Sequence, residues 1–104
     1  MAPRAILAIS GGLSKLRPRF MAQVTIYTRP FCGYCSRALS LLQEKDADFT
    51  EIEAGMDPQL RREMIQRSGR ATFPQIFVGD THIGGYDDMA ALDRAGKLDP
   101  LLQA

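Results

Sequence analysis

Tryptophan is absent from this sequence of 104 residues, histidine occurs once and cysteine only twice. Two cysteines cannot build the multi-bridge framework of a small secreted protein. Two thiols and one histidine also fall short of the four ligands of a closed zinc site within one chain. Long apolar runs are missing too. The longest in the amino-terminal segment is Ala5-Ile6-Leu7-Ala8-Ile9, far from the roughly 18–20 apolar residues of a membrane-crossing helix, so no membrane association is expected. No charge dominates: 13 Lys and Arg face 12 Asp and Glu, a net of +1, which gives no whole-molecule field toward nucleic acid. With 45% hydrophobic residues, one ordinary α/β-sized domain remains.

No acidic residue precedes Glu44, while Arg4, Lys15, Arg17 and Arg19 all fall within the first 22 positions. Residues 23–104 hold nine basic and twelve acidic residues, a net of −3. The sequence thus divides into an extension, residues 1–22, and a domain, residues 23–104. A misassigned start codon upstream of Met21 is preferred for the extension over a mitochondrial or plastid presequence, and a secretory signal comes last for want of an apolar stretch of about 7–15 residues. Two cysteines set close together, without a secretory framework, place the protein in a reducing compartment, the cytoplasm; a functional basic leader would direct it to an organelle.

Within the domain, Val24-Thr25-Ile26-Tyr27 reads as a strand that stops before Pro30. Ala38, Leu39, Leu41 and Leu42 recur at helical spacing from about Cys35 to Lys45. Phe49 to Glu53 reads as a second strand. Asp57-Pro58 is an N-cap and first-turn proline for a helix with Leu60, Met64 and Ile65 inward and Gly69 at its end. Pro74 to Val78 and Thr81 to Ile83, joined by Gly79-Asp80, read as a hairpin broken by Gly84-Gly85. A third helix spans Asp87 to Ala95 with Met89, Leu92 and Ala95 on one side, and Asp99-Pro100 starts a short fourth. The order β-α-β-α-β-β-α-α predicts a right-handed parallel unit extended by a hairpin into a small four-stranded mixed sheet flanked by helices. Met64 and Met89 read as core fillers, and His82 as a half-exposed strand residue outside any site.

Phe31-Cys32-Gly33-Tyr34-Cys35 sets two thiols within one turn where a strand hands over to a helix. Unpaired amides at the helix start stabilise a thiolate there, which makes Cys32 the exposed nucleophile and Cys35 the resolving thiol. Arg29 adds a fixed positive charge nearby. A structural disulfide over two intervening residues would close almost no loop, so redox chemistry is expected. Tyr34, an aromatic between reactive cysteines, is placed to flank a peptide-like ligand.

These motifs resemble the glutaredoxins, small members of the thioredoxin-like fold. The resemblance covers residues 23–104 and is carried by Ile26-Tyr27-Thr28-Arg29 with Cys32-Gly33-Tyr34-Cys35, by Thr72-Phe73-Pro74-Gln75-Ile76-Phe77, by Gly84-Gly85-Tyr86-Asp87-Asp88 and by the Leu98-Asp99-Pro100-Leu101-Leu102 end. It implies that Thr72, Phe73 and a cis Pro74 present backbone groups to the cysteinyl part of glutathione. It further implies that Gly85, Tyr86, Asp87 and Asp88 hold the γ-glutamyl end, and that Arg29 with Tyr34 completes the cleft around the glycyl carboxylate; helix capping is the competing role for Asp87 and Asp88. The family commonly has Pro where this chain has Gly33, and a small residue there is associated with a [2Fe-2S] cluster bridged between two protomers and two glutathiones. Tyr86 stands where relatives often carry another Cys.

The resemblance implies a monomeric enzyme that uses glutathione to reduce glutathionylated and disulfide-bonded proteins through Cys32 and Cys35. The alternative is a cluster-bridged dimer with Cys32 as the metal ligand; the monomer itself has no metal site. A thioredoxin-like reductase fed by a flavoprotein is disfavoured, because thioredoxins usually place a Trp beside the first Cys.

Overall fold

The computed structural model describes residues 22–103; residues 1–21 and Ala104 lie outside the described residues, so the reading of the basic extension falls almost wholly outside them. Eight elements follow one another: β1 (Gln23–Thr28), α1 (Gly33–Glu44), β2 (Asp48–Glu53), α2 (Pro58–Ser68), β3 (Gln75–Val78), β4 (Thr81–Gly84), α3 (Tyr86–Arg94) and α4 (Leu98–Leu102). The four strands form one sheet in the order β2-β1-β3-β4. β1 runs parallel to β2, and β3 antiparallel to β1 and to β4. This is the mixed α/β architecture expected from the sequence.

Strand alternation distributes the apolar residues to the two faces of the sheet. Val24, Ile26, Ile76 and Val78 pack with Ala38 and Leu42 of α1, Met89 of α3 and Leu98 and Leu102 of α4. Tyr27 and Phe77 pack with Ala54 and Met64 in a second, smaller cluster. The Tyr27 hydroxyl donates to Glu63 at 2.6 Å and accepts from Arg67 at 2.8 Å, which ties α2 to the central strand. Lys45, at the end of α1, reaches Asp93 at 2.6 Å and Asp99 at 3.0 Å and so joins α1, α3 and α4. β2 lines one edge with the side chains of Asp48, Glu51 and Glu53 exposed.

Several boundaries differ from expectation. α1 starts at Gly33 rather than near Cys35, because Cys32 itself acts as its N-cap. α3 starts at Tyr86; the buried stripe then falls on Met89 and Ala90, and Ala95 becomes an exposed cap. In α2, Met64 is fully buried but Ile65 is 37% exposed, since the face against the sheet is one residue narrower than the sequence pattern. α4 begins at Leu98, whose buried side chain sits one turn from that of Leu102. Asp57 caps α2 by accepting from the amides of Gln59 and Leu60, and Gly69 ends it at φ 74°, both as expected.

The hairpin ends in an irregularity: Phe77 pairs with His82 but Ile76 with Gly84, so Ile83 is an extra residue on β4. Such a bulge bends the strand and favours glycine at a positive φ. Gly84 has φ 116°, and the chain turns there into α3.

Candidate active site

Cys32 lies between the end of β1 and the first residue of α1, with extended backbone (φ −116°, ψ 106°). Its Sγ accepts from the Cys35 amide at 3.2 Å, so the sulfur takes up one of the donors that every helix start leaves unpaired. Cys32 is only 8% exposed and Cys35 3%, so the nucleophile is more enclosed than the sequence suggested: capping draws its sulfur back onto the helix end. No bridge joins the two thiols. Gly33 has open space where a side chain would stand, so its smallness meets no packing demand.

Burial and a hydrogen bond with Cys32 push the Cys35 thiol up to about 12, against the opposing effect of the Arg29 main-chain N–H and charge. Cys35 therefore stays protonated at neutral pH. Brief treatment with iodoacetamide at pH 7 is expected to label Cys32 and spare Cys35, as read by peptide mass mapping. Equal labelling of both would contradict the assignment.

The segment leading to Cys32 is held on itself. The Arg29 guanidinium donates to the carbonyls of Pro30 at 3.1 Å and Phe31 at 3.4 Å. Gly55, after β2, packs so close to Arg29 that a Cβ there would overlap the Arg29 side chain. Phe31 is fully exposed at φ 57°, one residue before the nucleophile. Its exposure was not evident in the sequence.

The Phe73–Pro74 peptide bond is cis, as the resemblance implied. Two depressions flank this loop. One, of about 170 Å³, is lined by Tyr34, Arg70, Thr72, Phe73, Pro74 and residues 85–88. The other, of about 390 Å³, is lined by Arg29, Gly55, Arg61, Ala71, Thr72 and Phe73. The structure thus brings together every expected binding residue around one loop, with Tyr34 on the side of Tyr86 and away from the Arg29 depression. Tyr34 stacks on Tyr86 with ring centroids 6.3 Å apart, and the Arg37 guanidinium lies 5.4 Å from the Tyr34 centroid.

Asp88 caps α3, its carboxylate accepting from the Gly85 amide at 2.9 Å, and pairs with Arg70 at 3.4 Å. Asp87 is exposed and makes no such bond among the described residues. Arg61 and Arg70 were missed by sequence reasoning: each sits among other basic residues of α2 or its exit, and no local pattern distinguishes them. The guanidinium of Arg61 stands 6.0 Å from the Phe73 centroid.

A cysteine pair at a strand-to-helix junction, on a mixed sheet that also carries a cis X-Pro loop, defines a thioredoxin-like thiol–disulfide oxidoreductase. The glutaredoxin family model matches residues 24–83. The chain is 54% identical over 84 residues to a glutaredoxin of Pseudomonas aeruginosa, an alignment covering 81% of this chain and all of the relative. The solution structure of a glutaredoxin from Brucella melitensis superposes with a TM-score of 0.72 at 58% identity, covering 81% of this chain and 91% of that one. A buckwheat glutaredoxin–glutathione complex superposes at 0.71 with 29% identity, covering 86% and 83%. The chain belongs to the glutaredoxin family and is a glutathione-dependent thiol–disulfide oxidoreductase. Among the described residues no helix is long and apolar enough to cross a membrane.

Proposed function

We propose that glutathione lies across the Thr72-Phe73-Pro74 loop with its two ends in the two depressions. The observation that carries this is their opposite chemistry. The first offers unpaired amides at the start of α3 and the carboxylate of Asp87, which suit the γ-glutamyl α-carboxylate and ammonium. The second offers the guanidinium groups of Arg29 and Arg61, which suit the glycyl carboxylate. Arg29 and Tyr34 bracket Cys32 in sequence and line different depressions, so the nucleophile belongs to the segment that spans them. The buckwheat relative, solved with glutathione, supports the same ligand here.

In this reading the Cys32 thiolate attacks the glutathionyl sulfur of a mixed disulfide. The Cys32–glutathione bond forms, the substrate S–S bond breaks, and the departing substrate thiolate takes a proton. A second glutathione thiolate then attacks the glutathionyl sulfur, releasing glutathione disulfide and restoring Cys32. With a protein disulfide, Cys35 gives up its proton and attacks the Cys32 mixed disulfide, closing the Cys32–Cys35 bridge. Phe31 offers apolar contact to the polypeptide around such a disulfide.

The enzyme is proposed to act as a monomer in the cytoplasm, with residues 23–104 as the working domain and residues 1–22 as an extension. The described residues hold no group of three or more His, Cys, Asp or Glu able to take a metal. A [2Fe-2S] cluster would need Cys32 and thiolates from outside this chain.

The test uses peptide mixed disulfides with glutathione, with γ-glutamylcysteine and with cysteinylglycine. Arg29→Ala is expected to raise KM roughly tenfold for the glutathione substrate and leave it unchanged for the γ-glutamylcysteine one, which has no glycine. Asp87→Ala should do the converse, losing its effect with cysteinylglycine. Equal effects of each substitution on all three substrates would reject the proposed polarity.

A further inference from the structure

The first residue of β3, Gln75, follows the cis proline directly and is fully buried. Its side-chain amide nitrogen lies 3.1 Å from both the carbonyl oxygen and the hydroxyl of Thr72. A carbonyl oxygen can only accept, so the NH2 group must face Thr72. The Gln75 Oε1 is then turned to His82, whose Nε2 lies 2.7 Å away. Since that oxygen can only accept, His82 must carry its proton on Nε2. The imidazole is placed for this by the β3–β4 pairing, which sets His82 opposite Phe77, with ring centroids 4.9 Å apart.

A chain of directed hydrogen bonds therefore runs from β4 through a buried amide to the backbone of the loop between the two depressions. We propose that His82 is a positioning residue for glutathione: through Gln75 it fixes the carbonyl and hydroxyl of Thr72, and with them the direction in which the Thr72-Phe73-Pro74 backbone meets the ligand. Without the His82 donor, Gln75 Oε1 would be a buried acceptor with no partner, and the amide would be driven to rotate away from Thr72. The Nε2–H donor is present in the neutral and the protonated ring, so the bond itself does not switch with pH. Burial, with the positive charge of Arg70, holds this ring on the neutral side against the opposing charge of Asp88.

This inference rests on the loop being the glutathione site. The experiment compares wild type, His82→Phe and His82→Gln, with a glutathionylated peptide as the varied substrate at saturating glutathione. His82→Phe keeps an aromatic ring against Phe77 and removes the donor; it is expected to raise KM for the glutathionylated peptide fivefold or more with kcat within twofold. His82→Gln returns an N–H at similar reach and is expected to restore KM to within twofold of wild type. An unchanged KM in His82→Phe, or a His82→Gln as defective as His82→Phe, would overturn the proposal.

Should His82→Phe not fold, long-range 1H–15N spectra of the wild-type imidazole decide. An Nε2–H tautomer whose signals move on addition of S-methylglutathione is expected, and an Nδ1–H tautomer or signals indifferent to the ligand would overturn the proposal. The wild-type backbone amides of Thr72 and Phe73 separate the two levels. If they do not respond to S-methylglutathione, the loop reading fails and this inference with it; if they respond while His82→Phe keeps its KM, only the inference fails.

Discussion

Cys32→Ser is expected to abolish reduction of glutathionylated peptides, by on the order of 1000-fold or more, because a hydroxyl is not ionised near neutral pH and is a far weaker nucleophile toward sulfur than a thiolate. Stability should be kept. Position 32 is the N-cap of α1, and serine is among the best residues for accepting from a helix-start amide, so the bond from the Cys35 amide is retained. Cys35 cannot take over the first step, since its thiol is buried and pushed up to about 12. Cys35→Ser should therefore retain most turnover of glutathionylated peptides and lose reduction of protein disulfides that depends on closing the Cys32–Cys35 bridge. The check is one set of initial rates for both variants with both substrate types, alongside thermal melts. Substantial turnover in Cys32→Ser, with the protein folded, would move the nucleophile elsewhere.

Gly84→Ala is expected to damage both fold and site. The residue stands at φ 116°, where a side chain costs about 1–3 kcal/mol. A Cβ would also overlap the carboxylate of Asp88, the group that caps α3 through the Gly85 amide and pairs with Arg70. Displacing Asp88 loosens the start of α3, and with it the amides proposed for the γ-glutamyl carboxylate, so KM for a glutathionylated peptide should rise as stability falls. Gly85→Ala is the contrast in stability. Its φ is −92°, and a Cβ there meets the Pro74 carbonyl oxygen at 3.5 Å, an ordinary contact, so unfolding should shift by no more than about 0.5 kcal/mol. Urea denaturation of the two variants tests the pair, and equal losses would show that the strain at Gly84 had been overrated.

The order of elements was legible because each carries its own punctuation. Pro30 stops β1, Asp57-Pro58 opens α2 and Gly69 closes it, and Gly79-Asp80 turns the hairpin. The cysteine pair was legible for a similar reason, as a short motif whose chemistry is local, whereas the cis proline came from the family resemblance. What escaped depended on contacts between distant segments. The extra residue at Ile83 follows from how β4 must leave the sheet to start α3, which no window of β4 alone records. Arg61 and Arg70 gain meaning only once α2 is laid beside the Phe73 loop. His82 was correctly read as a half-buried strand residue, but its bond to Gln75 joins residues seven apart across a turn, and Gln75 offered no hint of being fully buried. Cys32 is enclosed because it caps α1, a dual use of one side chain that composition and spacing cannot reveal.

The carboxylates along β2 bear on the life of the protein at high concentration. An outer strand with unused main-chain donors and acceptors is a template on which a second copy can add its own strand and begin an aggregate. Here β2 sits at the margin of the sheet with Asp48, Glu51 and Glu53 exposed along it, and any copy approaching in the same way brings the same three anions. Mutual repulsion along that seam disfavours pairing of β2 with the β2 of a second copy, and it does so away from the segment that carries the cysteine pair.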